Sequence, residues 1–169
     1  EGVDPGVRAL LYSRAAWTFA LDGDADMTAT CLGRAEDALA AANGSTPDYA
    51  AWIDENELAI MTGRCWSELH RPLRAVPVLE QALGRYSDAH ARDKALYSSW
   101  LADSYIDAGE IEQAVDVMRS SIAVMGVVTS VRPRQRLAAV ASRLAERRAL
   151  PAVADLLSSD PLHPLDVRR

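Results

Sequence analysis

Lysine is nearly absent from this chain of 169 residues: Lys94 stands alone against 17 arginines. Together with abundant alanine, that bias points to a GC-rich bacterial genome, a statement about codons and not about mechanism. Cysteine is scarce too. Cys31 and Cys65 form no C-x-x-C pair and fall in separate predicted helices, so they read as buried, reduced thiols packing as small hydrophobes. No stretch alternates polar and apolar at period two for long enough to make a strand, which excludes a β architecture. No apolar run approaches the ~18 residues a membrane span needs. The opening Glu1-Gly-Val-Asp-Pro has neither the basic region nor the apolar core of a signal peptide, so a cytoplasmic location is expected. An initiator methionine is missing as well, and the chain is expected to be a piece of something longer.

The residues of catalysis are equally thin. There is no Gly-x-Ser-x-Gly elbow and no glycine-rich phosphate loop. Acid pairs such as Asp54/Glu55 and Asp22/Asp24 sit where helix capping explains them. His70, His90 and His163 lie in breaks or in the tail with no ligand-type partner four residues on, so surface imidazoles are expected and no metal. The expectation is a protein that is not an enzyme and needs no cofactor.

What remains is ordinary for one soluble helical domain: 49% hydrophobic and 25% charged residues, with a net charge of −6. The charge is uneven. Residues 1–60 carry 11 acids and 3 bases, whereas residues 121–169 carry 4 acids and 8 bases. Asp4-Pro5 reads as a helix start, running to Leu21 and closed by Asp22-Gly23-Asp24. Further helices are expected over about 25–42 (exiting at Asn43-Gly44), 50–69, 72–86, 89–108, 111–125, 131–148 and from Pro151 to about 159. Pro77 inside the fourth requires either a later start or a bend, and a mild kink is expected. Residues 160–169 should be an extended or mobile tail.

Two stretches 39 residues apart share one spaced pattern. Gly63, Trp66, Leu69, Ala75, Leu79 and Ala82 correspond to Ala102, Tyr105, Ala108, Ala114, Met118 and Ser121. A small residue precedes a large aromatic by three positions, and a second small residue follows where a partner helix must approach. Ala16 and Phe19, with Leu32 and Ala35, repeat it more weakly. A two-helix period of this size implies an all-α solenoid of about four hairpins: 5–42, 50–86, 89–125 and 131–159.

These residues resemble the tetratricopeptide repeat family. Residues 56–89 match its pattern at Gly63, Trp66, Leu69, Ala75, Leu79 and Ala82; residues 95–128 match at Leu101, Ala102, Tyr105, Gly109, Ala114, Met118 and Ser121. Ala59 and Ser98 stand where the family carries tryptophan, and Ser87 replaces its closing proline. The runs 75–83, 89–97 and 130–136 look like the repeat half of bacterial regulators in which a helix-turn-helix precedes the repeats. The resemblance implies a right-handed superhelix whose first helices line a concave groove for a peptide or protein. It also implies a role in transcription control, with DNA read only by a domain outside this chain and the repeat half sensing a ligand or forming a homodimer.

Carried over by pattern, the groove residues are Arg14, Trp17, Glu57, Ile60, Arg64, Ser67, Ser99, Trp100, Asp103 and Asp107. Arginines beside aromatic faces could hold an extended peptide's carboxylates and side chains. Alternatively, Trp17 and Trp100 pack the groove floor; Trp52 and Trp66 are expected in the core. The basic stretch Arg132, Arg134, Arg136, Arg143, Arg147 and Arg148 has only Glu146 opposing it. Without interleaved aromatics it reads as an intramolecular or dimer contact with the acidic first third, not as a nucleic-acid surface.

Overall fold

The computed structural model describes residues 2–42, 46–86, 90–125 and 131–159. Among them lie eight α-helices and no strand: α1 (Pro5–Leu21), α2 (Ala25–Ala40), α3 (Glu55–Glu68), α4 (Pro72–Gly84), α5 (Ala91–Ala108), α6 (Ile111–Met125), α7 (Val131–Ala145) and α8 (Pro151–Ser158). Among the described residues no helix is long and apolar enough to cross a membrane. The contacts divide the chain into two compact units, Glu1–Arg85 and Tyr86–Arg169.

In the first unit α1 pairs with α2 and α3 with α4, while α3 also packs on both helices of the first hairpin. The buried stripe of α1 consists of Gly6, Ala9, Ser13, Ala16 and Ala20. Its spacing of three and four keeps small side chains on one face, so the backbone of α2 can approach closely. Cys31, Leu32, Ala35 and Ala38 of α2 form the facing layer. Between α3 and α4 the approach is closer still. A Cβ on Gly63 would lie 2.5 Å from Cγ of Leu79, and Leu79 is fully buried.

In the second unit α5 pairs with α6, α7 packs on both, and α8 packs on α6 and α7. The core joins Ala102 of α5 to Val115 and Met118 of α6, Leu137, Val140 and Leu144 of α7, and Val153 and Leu156 of α8. Ala102 and Met118 thus occupy the places that Gly63 and Leu79 hold in the first unit, each buried at 0% exposure.

Local chemistry sets the ends. Asp4 Oδ1 accepts from the backbone amides of Gly6 and Val7, capping α1 ahead of Pro5. Gly109 closes α5 in the left-handed region at φ 81°, a conformation that costs a residue with a Cβ about 1–2 kcal/mol. Three expected boundaries are corrected. First, α3 begins at Glu55 rather than near Ala50, because Asp54 accepts from the Glu57 amide at 2.8 Å and fixes the start there. Second, α2 ends at Ala40, capped by a right-handed Ala41. Third, α7 ends at Ala145, with residues 146–149 in turns. The helix α4 starts at Pro72 and runs through Pro77 without interruption. Leu73, whose carbonyl would have accepted from position 77, is 89% exposed. The expected exit at Asn43-Gly44, the break at Ser87-Asp88, His163 and the tail fall outside the described residues.

Candidate functional site

The ten groove candidates divide between the units, Arg14 to Ser67 in the first and Ser99 to Asp107 in the second.

In the first unit, α1 and α3 run together and place cations on aromatic faces. The Arg64 guanidinium sits 4.5 Å from the Trp17 ring centroid, with Arg64 only 7% exposed. Guanidinium is weakly hydrated and planar, so an indole face compensates part of its desolvation. Arg14, one turn earlier on α1, is exposed, and its guanidinium lies 5.5 Å from the Trp52 ring centroid. Trp52 corrects an expectation: it is 47% exposed, not core. Because α3 starts at Glu55, residues 48–52 form a turn, and the indole N–H donates to the Tyr49 carbonyl at 2.9 Å. Trp66 is core, as expected at 8% exposure, with Arg74 stacked 4.6 Å from its ring centroid. Glu57 is half-buried on the first turn of α3. Ile60, at 1% exposure, has no surface to offer a ligand, and Ser67 at 5% has very little.

In the second unit the corresponding side chains are already engaged. Ser99 is 0% exposed and donates to the Leu96 carbonyl at 2.6 Å, so it too is core. Arg136 of α7 donates to Asp103 Oδ2 at 2.6 Å while its guanidinium stacks 4.6 Å from the Trp100 ring centroid. Arg143, two turns on, bridges two carboxylates, donating to Asp103 Oδ1 at 2.7 Å and to Asp107 Oδ1 at 2.6 Å. Partial burial pulls the Arg143 pKa down, but the hydrogen bonds to Asp107 and Asp103 outweigh it and hold the pKa above its ordinary value. Two arginines of the basic stretch, expected to contact the acidic first third or a second copy, therefore find acceptors on α5 of their own unit. The signal was legible: Asp103 and Asp107 are four apart and Arg136 and Arg143 seven apart, so each pair occupies one helical face.

Among the described residues no group of three or more His, Cys, Asp or Glu side chains gathers as a metal site would require. His70 and His90 are exposed. Cys31 and Cys65 are free and buried, as expected. Burial pushes the Cys65 thiol up to about 12, the small downward pull of Arg64 notwithstanding. In the unfolded chain it returns to near 9, so between pH 9 and 12 only the unfolded state loses this proton. Stability should then fall by about 1.4 kcal/mol per pH unit through this thiol alone. Urea midpoints at pH 8.5 and 10.5 should show a drop in the wild type that is smaller in Cys65→Ala.

A cavity of about 410 Å³ lies on another side of the first unit, between α2, α3 and α4. No family model, no curated protein and no solved structure matches the chain.

Proposed function

We propose that the chain is a non-catalytic binding module of tetratricopeptide type, which takes a peptide or protein partner on the α1–α3 face of its first unit. The observation that carries this reading is the cation–aromatic pairing on that face: Arg14 beside Trp52, both exposed, next to the buried stack of Arg64 on Trp17. An exposed guanidinium held against an indole is preorganised to take a peptide carboxylate in a bidentate fashion, with the ring covering the neighbouring side chain. Support for a repeat module comes from the way each unit packs a helix of its second hairpin against both helices of its first, and from the small and large buried pairs that recur in two hairpins, Gly63 and Leu79 in α3–α4 and Ala102 and Met118 in α5–α6.

The role as effector half of a bacterial transcription regulator follows from the sequence resemblance. In such a protein DNA is read by another domain, and partner binding acts by favouring one packing of the hairpins over another. The reading is tested on an array of acidic and aromatic peptides probed with wild type and Arg14→Glu. Wild type should retain a defined set of carboxylate-bearing peptides that the variant loses. An identical pattern for both proteins, or no retention by either, contradicts it. A constitutive scaffold or homodimer is the second reading, favoured by the Asp103–Asp107–Arg136–Arg143 network, in which the second unit's own arginines already occupy the two carboxylates expected to face a ligand. Sedimentation giving a stable dimer that buries Arg14 would decide for it.

A further inference from the structure

We infer that the cavity between α2, α3 and α4 is a second binding site, for a small organic cation: an amine carried on an apolar body. The inference is independent of the peptide face on α1 and α3. The cavity's volume of about 410 Å³ lies in the range of small-molecule sites and is too small for a folded segment. Five of its nine lining residues are apolar, Leu39 and Ala40 of α2, Leu58 and Ala59 of α3, and Val78 of α4, while Thr62 and Gln81 are neutral and polar. The charges are of one sign. Glu36 and Glu55 are the ionisable residues of its lining, both exposed, and no arginine, lysine or histidine is among the lining residues. A carboxylate pair over an apolar wall attracts a cation and repels an anion of the same shape, so charge selects the ligand while the wall supplies the affinity.

The test uses two probes with one shape and opposite charge, 4-phenylbutylamine and 4-phenylbutyrate, titrated into the full chain at pH 7 and followed by methyl NMR. The amine should saturate and shift the methyl signals of Leu39, Leu58 and Val78, and the acid should bind at least about tenfold more weakly. Glu36→Gln with Glu55→Gln should weaken the amine by about fivefold and bring the two probes closer together, while Arg14→Glu leaves both titrations unchanged. Ala59→Phe, which fills the cavity, should abolish amine binding; the surface glutamine pair gives the answer if that variant does not fold. Equal affinity for the two probes, no binding of the amine, or amine binding indifferent to both glutamines overturns the site. So does binding of a lysine peptide at these methyls when the amine does not bind.

Discussion

Gly63→Ala should destabilise the protein by about 1–2 kcal/mol, although alanine in place of glycine ordinarily stabilises a helix by about 1 kcal/mol. The new Cβ would meet Leu79 Cγ at 2.5 Å and Cδ2 at 2.7 Å. Leu79 is at 0% exposure, so its side chain has no free space to turn into. Leu79→Ala alone should cost about 2–5 kcal/mol through the cavity it leaves. The double variant should then cost less than the sum of the two by about 1–2 kcal/mol, because each change relieves the other. Gly33→Ala is the control: nothing lies within 4 Å of its Cβ, so the same substitution in α2 should stabilise by about 0.5–1 kcal/mol. Urea unfolding of the four variants reads all of this. Additive costs at 63 and 79 would mean that the helices do not interlock there.

The second large effect is expected at Asp103, whose side chain is 11% exposed and accepts from both Arg136 and Arg143. Asp103→Ala leaves two guanidinium groups without their shared acceptor. Removing one partner from a buried pair costs about 3–5 kcal/mol. The arginines here are 27% and 38% exposed, so water recovers part of that, and about 2–3 kcal/mol is expected. Asp116, paired with Arg119 at 3.9 Å on the open surface of α6, should change stability by less than about 0.5 kcal/mol when replaced by alanine. Hydrogen exchange locates the effect: the amides of α7 should lose protection in Asp103→Ala and keep it in Asp116→Ala. Equal loss in both would remove the network from the account of what seats α7.

Helix identity and order were legible because the cues are local. Asp4-Pro5, Gly109 and Pro151 act through their own backbone, so α1, the end of α5 and the start of α8 were readable at once. The start of α3 was carried by an equally local signal, Asp54 three residues before Glu57, but the linker's apolar Ala50, Ala51 and Trp52 read as a continuing helix. That shift of five residues moved Trp52 from the expected core to the surface. The small-and-large pattern located the close contacts at Gly63 and Ala102 because helical period dictates which residues share a face. It did not locate what neighbouring hairpins do to one another's polar residues. Asp103 and Asp107 face outward from their own hairpin by pattern, and only the seating of α7 turns them into acceptors for Arg136 and Arg143. The pocket between α2, α3 and α4 depends on three helices at once and has no counterpart in any single spacing.

The most direct measurement is hydrogen–deuterium exchange of the chain with and without a peptide selected on the array. Protection should concentrate on α1 around Arg14 and Trp17 and on the segment from Tyr49 to Glu57. Protection confined to α5 and α7, or to the α2 and α4 residues lining the cavity, would show that the α1–α3 face is not where a partner is held.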